Sequence, residues 1–215
     1  MILLNIAIKM KHEQDANLEQ LILETAEKLF LEKGFAMTST TEIAKKVGCN
    51  QALVHYYFRT KENLFQSIFA KKIWLLLSSF IENSQKDISF EEKLKAKIES
   101  HFEMIRANPR LPFLVVNELT TNPERINSLK EKINELPKSV FTQLQHELQI
   151  EIDNGRIRPI EIMDLVLTIV SLNAMLFLTG AIFKNIAQLS DADFEQLIEH
   201  RKQEHVRIIL ASLKP

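Results

Sequence analysis

At 215 residues with 46% apolar content, the chain can bury the core of one large or two small domains. A net charge of −1 excludes a polycation that coats nucleic acid over its whole surface. The single cysteine, Cys49, excludes an internal disulfide and suits a reducing cytoplasm.

The start, MILLNIAIKM, is apolar but short, and Asn5 and Lys9 break it. It lacks the basic leader and small-residue cleavage site of a signal peptide, so residues 1–15 are expected to form a loose tail, with translation starting at Met1 or Met10. From residue 16, Leu18, Leu21, Ile22, Thr25, Ala26, Leu29 and Phe30 recur at steps of three and four. That spacing predicts an amphipathic helix, ended by Gly34.

The stretch Thr40 to Phe58 predicts two short helices joined by a tight turn, a helix-turn-helix. Ile43, Val47, Val54 and Phe58 form one apolar seam, with Ala44 where the helices cross. Gly48 falls at the corner, where the chain needs a positive φ, and Asn50 can cap the second helix. Thr60 and Asn63 open a fourth helix as a loose capping box. Charge is concentrated here: Thr40 to Lys72 holds six basic and two acidic residues, whereas the rest of the chain holds 21 basic and 26 acidic ones. A basic face on a neutral protein fits a reader of double-stranded DNA.

Beyond residue 76 every segment reads as helix. Phe90, Leu94, Ile98, Phe102 and Ile105 share one face of a helix from Ser89 to Ala107, stopped by Asn108-Pro109. A short helix follows over Pro112 to Thr121. Glu124 to Asn154 is expected to be kinked or split at Pro137 and capped by Gly155. Pro159 opens Ile160 to Asn185, and Ser190 caps Asp191 to Leu213. Leu165 to Phe183 is nineteen residues without a charge, long enough to cross a bilayer. Thr168, Ser171, Asn173 and Thr179 interrupt it and no aromatic belt flanks it, so burial against the last helix and a second subunit is the preferred reading. The rival reading is a membrane-tethered or protein-binding helical module with a vestigial helix-turn-helix.

Enzyme chemistry finds no support. The four glycines are scattered and make no phosphate loop, no histidine pair has the helical metal spacing, and Glu91-Glu92 is an exposed first-turn pair. No cofactor is expected.

Gly34-Phe35, Thr40, Glu42-Ile43-Ala44, Gly48, Tyr57-Phe58, Lys61-Glu62 and Leu64-Phe65 together resemble the amino-terminal domain of TetR-family transcriptional regulators. The resemblance covers residues 16 to 76. Beyond it only the layout matches. It implies an all-α protein: a three-helix DNA-binding domain at 16–76, then a helical-bundle domain for ligand binding and dimerisation at 77–215. By resemblance and position, Asn50, Gln51, Ala52 and Leu53 face base edges, and Thr40, His55, Tyr56 and Lys61 face phosphates. Two positions depart from the family pattern. Ala52 stands where Gly is frequent, which bears on how closely the backbone nears DNA. His55 stands where Tyr is usual, which gives DNA affinity a route to pH dependence. The resemblance further implies a cytoplasmic homodimer joined through its last two helices, a palindromic operator, and release by a small-molecule effector. Bundles place such ligands between facing helices, and Trp74, Phe102, Phe141, Asn173 and Phe177 are the candidate contacts. Asn173 needs a polar partner if buried, either a ligand or a group across the dimer seam.

Overall fold

A computed structural model describes residues 2–78, 88–135 and 138–215, and among these the only regular elements are helices. In chain order they are α1 (Ile2–Lys33), α2 (Thr40–Val47), α3 (Gln51–Phe58), α4 (Lys61–Ser78), α5 (Phe90–Ala107), α6 (Leu111–Thr121), α7 (Arg125–Glu135), α8 (Lys138–Asp153), α9 (Ile162–Ile186) and α10 (Asp191–Ser212).

Their ends follow from local chemistry. Ser89 and Glu92 form a reciprocal capping box at the start of α5, and the Ser190 hydroxyl accepts the Asp193 N–H at the start of α10. The Thr60 hydroxyl accepts the Asn63 N–H at 3.0 Å, as the loose box at α4 requires. The break between α7 and α8 falls where a split was expected, although Pro137 itself lies outside the described residues. The expected loose tail is corrected: helix α1 begins at Ile2, and nothing in residues 2–33 stops a helix, since the first glycine is Gly34 and no proline precedes it.

Two cores form. The first gathers Ile22, Ala26, Leu29 and Phe30 of α1, Ile43 and Ala44 of α2, Val54 of α3, and Leu64, Phe65, Ile68, Phe69 and Ile73 of α4. Phe30, Phe35, Phe65 and Phe69 run through it as neighbouring rings, with centroids 5.1–6.0 Å apart. Leu21, expected on the buried stripe of α1, is exposed. Leu114 of α6 is buried in this same core, with Val115, Leu119 and Leu129 packed against it. Packing therefore runs across the division expected at residue 76.

The second core joins Leu94 and Ile98 of α5, Leu148 of α8, Leu165 and Ile169 of α9, and Val206, Ile209 and Leu213 at the end of the chain. Gly180 lets α10 approach α9, because a Cβ there would lie 2.8 Å from the Phe194 ring. The opposite side of α9 is open. Met163, Leu167, Ile182 and Ile186 are exposed there, while Met175 and Phe183, also exposed, border α10. The helix is long and apolar enough to cross a membrane, yet only 22% of its most apolar stretch is buried within one chain.

Candidate nucleic-acid interface

The turn between α2 and α3 is built by three short-range rules. The Ser39 hydroxyl caps α2 by accepting the Glu42 N–H at 3.1 Å. Gly48 ends α2 at φ 82, in the left-handed region, and its N–H returns to the Ala44 carbonyl. Asn50 Oδ1 accepts the Leu53 N–H at 2.9 Å and starts α3. Ile43, Ala44 and Val54 then bury against α1 and α4, which leaves the other side of α3 outward. Lys33 ties α1 to α2 through a 2.5 Å ion pair with Glu42.

A Cβ at Gly48 would meet no atom within 4 Å, so its requirement is purely conformational. Gly48→Val is therefore expected to lower stability by about 1–2 kcal/mol, the order of cost for a β-branched residue held at positive φ. Urea unfolding measures that loss. A Gly48→Val protein of unchanged stability would contradict the turn geometry.

On the outward side of α3, Gln51, Ala52, His55 and Tyr56 are exposed, with Asn50 exposed just before them. Leu53 and Thr40 are half-buried. Seven of the eight expected contact residues thus surround one helix. The eighth, Lys61, is half-buried and packs against the connection between α1 and α2. Its ammonium donates to the Phe35 carbonyl at 3.0 Å and the Thr38 carbonyl at 2.9 Å, and it lies 4.0 Å from the centre of the Phe35 ring. A cation at a helix start opposes the helix dipole, and these two carbonyls offset that cost. Lys61 anchors the α1–α2 connection onto α4 with two of its three N–H donors. The exposed cations beside α3 are instead Lys45 and Lys46 in the last turn of α2 and Arg59 after α3. The local charge excess pointed to all three, but it could not say which lysine faces outward.

The expected ligand contacts do not converge on one cavity. Trp74 is 44% exposed on α4. The Phe141 side chain lies outside the described residues. Phe102 is fully buried, with its ring 5.3 Å from Phe177 and 5.7 Å from His205. Asn173 is also fully buried, and its partners belong to its own chain rather than to a second subunit. Its Nδ2 donates to the Ile98 carbonyl at 3.0 Å and faces His101 Nδ1 at 3.1 Å, while His205 Nδ1 donates to its Oδ1 at 2.9 Å. Burial pushes both imidazoles down to about 4, with Arg201 adding to the effect on His205. A separate, largely apolar cavity of about 510 Å³ lies between α9 and α10, lined by Leu172, Met175, Leu176, Phe183, Phe194 and Leu197, among others, and none of Trp74, Phe102, Asn173 and Phe177 lines it.

The family model described as bacterial regulatory proteins of the tetR family matches residues 22–68. That described as the tetracyclin repressor-like C-terminal domain matches residues 91–209. The chain is similar to the fatty acid metabolism regulator protein of Bacillus subtilis, 28% identical over 141 residues that span 64% of this chain and 69% of that protein. It is also similar to the transcriptional regulator QacR of Staphylococcus aureus, 27% identical over 126 residues, 56% of this chain and 63% of that protein. Among solved structures it resembles HlyIIR, a hemolysin II transcriptional regulator, with a TM-score of 0.63 and 25% identity over 94% of this chain and 99% of that one. The carboxy-terminal match alone spans more than half of the chain, and with the amino-terminal match over the helix-turn-helix it settles the family: the chain belongs to the TetR family of bacterial transcriptional regulators.

Proposed function

We infer that the protein is a homodimeric, cytoplasmic repressor that leaves a palindromic operator when a small molecule binds its helical domain. The observation that carries the DNA-reading half is the outward side of α3, where Gln51, Ala52, His55 and Tyr56 stand exposed beside Lys45, Lys46 and Arg59. An α-helix so presented fits the major groove, and two copies related by a twofold axis read two half-sites. Asn50, Gln51, Ala52 and Leu53 are assigned to base edges. Thr40, His55 and Tyr56 are assigned to phosphates, which set position and affinity rather than sequence preference. Selection of binding sites from random duplexes tests this reading, and recovery of no common palindrome would end it.

The exposed apolar side of α9 supports the dimer, since contiguous apolar surface of this kind marks an interface. Ile182 is exposed in the single chain and does not line the cavity between α9 and α10, so Ile182→Glu is expected to leave each subunit folded while placing a charge in the seam. It is expected to weaken dimerisation by roughly 100-fold or more, the effect of an unpaired buried charge. Sedimentation at micromolar concentration distinguishes the outcomes, and a wild-type protein that runs as a monomer overturns the dimer.

Release requires an effector that binds the non-DNA-binding arrangement more tightly than the other. The Bacillus subtilis relative carries fatty acid metabolism in its name, so an effector screen begins with fatty acids. Loss of operator binding on addition of an effector is the expected signal.

A further inference from the structure

Gln51 is the first residue of the helix assigned to the major groove, and this chain holds its amide from three sides. Gln51 Nε2 donates to Thr40 Oγ1 at 2.9 Å and lies 3.3 Å from His55 Nε2, while its Oε1 accepts from Thr41 Oγ1 at 3.1 Å. The His55 ring dictates which way the amide points. Its Nδ1 is 3.0 Å from the Arg59 carbonyl oxygen, which can only accept, so Nδ1 carries the proton of the neutral ring. Nε2 is then an acceptor, and the atom facing it must be the amide nitrogen rather than the amide oxygen. The Arg59 carbonyl is itself aimed by a γ-turn. Arg59 sits at φ 64 and ψ −54, and the Thr60 N–H donates to the Phe58 carbonyl at 2.7 Å. A non-glycine residue in this sparsely populated region marks a position that its surroundings over-determine.

We propose that His55, in place of the phosphate contact assigned to it above, is a positioning residue for Gln51, because both of its ring nitrogens are engaged within the chain, and that the locked glutamine reads base edges through its oxygen alone. The proposal rests on the assignment of Gln51 to base edges. Both of its N–H groups are committed, one to Thr40 and one to His55. What remains outward is one lone pair of Oε1. Its complement in the major groove is an exocyclic amino group, found on adenine N6 and cytosine N4. Guanine presents N7 and O6, and thymine presents O4, all of them acceptors. A free glutamine pairs bidentately with adenine because it also donates to N7. The locked one lacks that donor, so it accepts adenine or cytosine and rejects guanine and thymine. The same ring that replaces the family's usual tyrosine thereby sets specificity through its neighbour.

The test compares operator variants at each base pair, using full-length wild type, Gln51→Ala, His55→Phe and the double variant. In wild type, one base pair tolerates adenine and cytosine within roughly threefold and disfavours guanine and thymine. His55→Phe frees an amide N–H and shifts that same position towards adenine over cytosine by roughly tenfold, the scale of one added base contact. Gln51→Ala flattens the preference there, and the double variant matches Gln51→Ala in preference, whatever its overall affinity. A phosphate contact by His55 would change affinity for all sequences without moving this ratio. Thr40→Val removes the other acceptor and gives the same shift, which keeps the test open if His55→Phe fails to fold. Should Gln51→Ala leave every preference intact, the assignment of Gln51 to base edges is wrong. Should Gln51→Ala flatten the position while His55→Phe and Thr40→Val keep the wild-type ratio, the positioning role is wrong and the assignment stands.

Discussion

Arg125→Ala is expected to lower the unfolding free energy by about 3–5 kcal/mol, the cost of stranding a buried charge. Glu118 on α6 and Arg125 on α7 are only 3% and 2% exposed, and they pair directly. Each also reaches into the DNA-binding half. Glu118 Oε1 accepts the Phe35 N–H at 3.0 Å, and Arg125 Nη2 donates to Glu62 of α4 at 3.1 Å. The guanidinium lies over the rings of Phe35 and Phe65, with 4.5 and 4.1 Å to their centres. Four elements of chain therefore meet at one ion pair: the α1–α2 connection, α4, α6 and α7. Truncating Arg125 leaves the Glu118 carboxylate buried with only neutral donors, the Phe35 N–H and the Asn117 amide, both on Oε1. Removing both charges together is a milder change. Glu118→Leu with Arg125→Met should recover most of the stability, because apolar side chains of similar volume often replace a buried pair at little cost. Urea unfolding of the three proteins decides the matter. A single variant within about 1 kcal/mol of wild type, or a double variant no more stable than the single, would show that the pair is not buried as a unit.

The parts of this fold that were legible in the sequence are those governed by neighbours along the chain. Gly48 at the corner, Asn50, Ser89 and Ser190 at helix starts, and the apolar stripes of α1 and α5 all express rules that act within four residues. What escaped depends on residues far apart. Lys61 looks like a free cation at a helix start until the fold brings the Phe35 and Thr38 carbonyls to it, 26 and 23 residues away. Glu118 and Arg125 carry no local mark of burial, and only the packing of α6 and α7 against α4 buries them. Trp74 stands 44% exposed, because the sequence of α4 does not say which of its sides turns inward. Asn173, a candidate for a ligand or a dimer-seam contact, is buried with Ile98, His101 and His205 of α5 and α10 as partners, and no local pattern links them. The hydrogen bonds around Gln51 join α2 to α3 and likewise lie beyond periodicity.

The same buried trio gives the protein an acid limit. His101 and His205 flank Asn173 in the α5–α9–α10 core, and burial pushes each imidazole down to about 4 from its ordinary 6.5. A folded-state value below the unfolded one means that the neutral ring is the form the fold requires. Its contribution is fully present above pH 6.5 and is lost as pH falls from 6.5 towards 4. The hydrogen bonds agree in sign: His101 Nδ1 accepts from the Asn173 amide, so a proton there would set two donors against each other. Together the two rings should lower stability by roughly 2–4 kcal/mol between pH 7.5 and pH 5, taking about 1.4 kcal/mol for each pH unit below the unfolded value. The paired carboxylates of Glu42, Glu92, Glu151, Asp191, Glu199 and Glu204 are all held below their ordinary values by hydrogen bonds to partner side chains. Their contributions are lost only below about pH 4.5, so the window above pH 5 belongs to the histidines. His205→Gln keeps an amide donor for Asn173 Oδ1 and removes one titration, so it should roughly halve the acid loss even where it lowers stability at neutral pH. Urea unfolding at pH 7.5, 6 and 5 measures both proteins. Equal stability of the wild type at pH 7.5 and 5 would mean that these rings are open to water, and the α5–α9–α10 core would then have to be redrawn around Asn173.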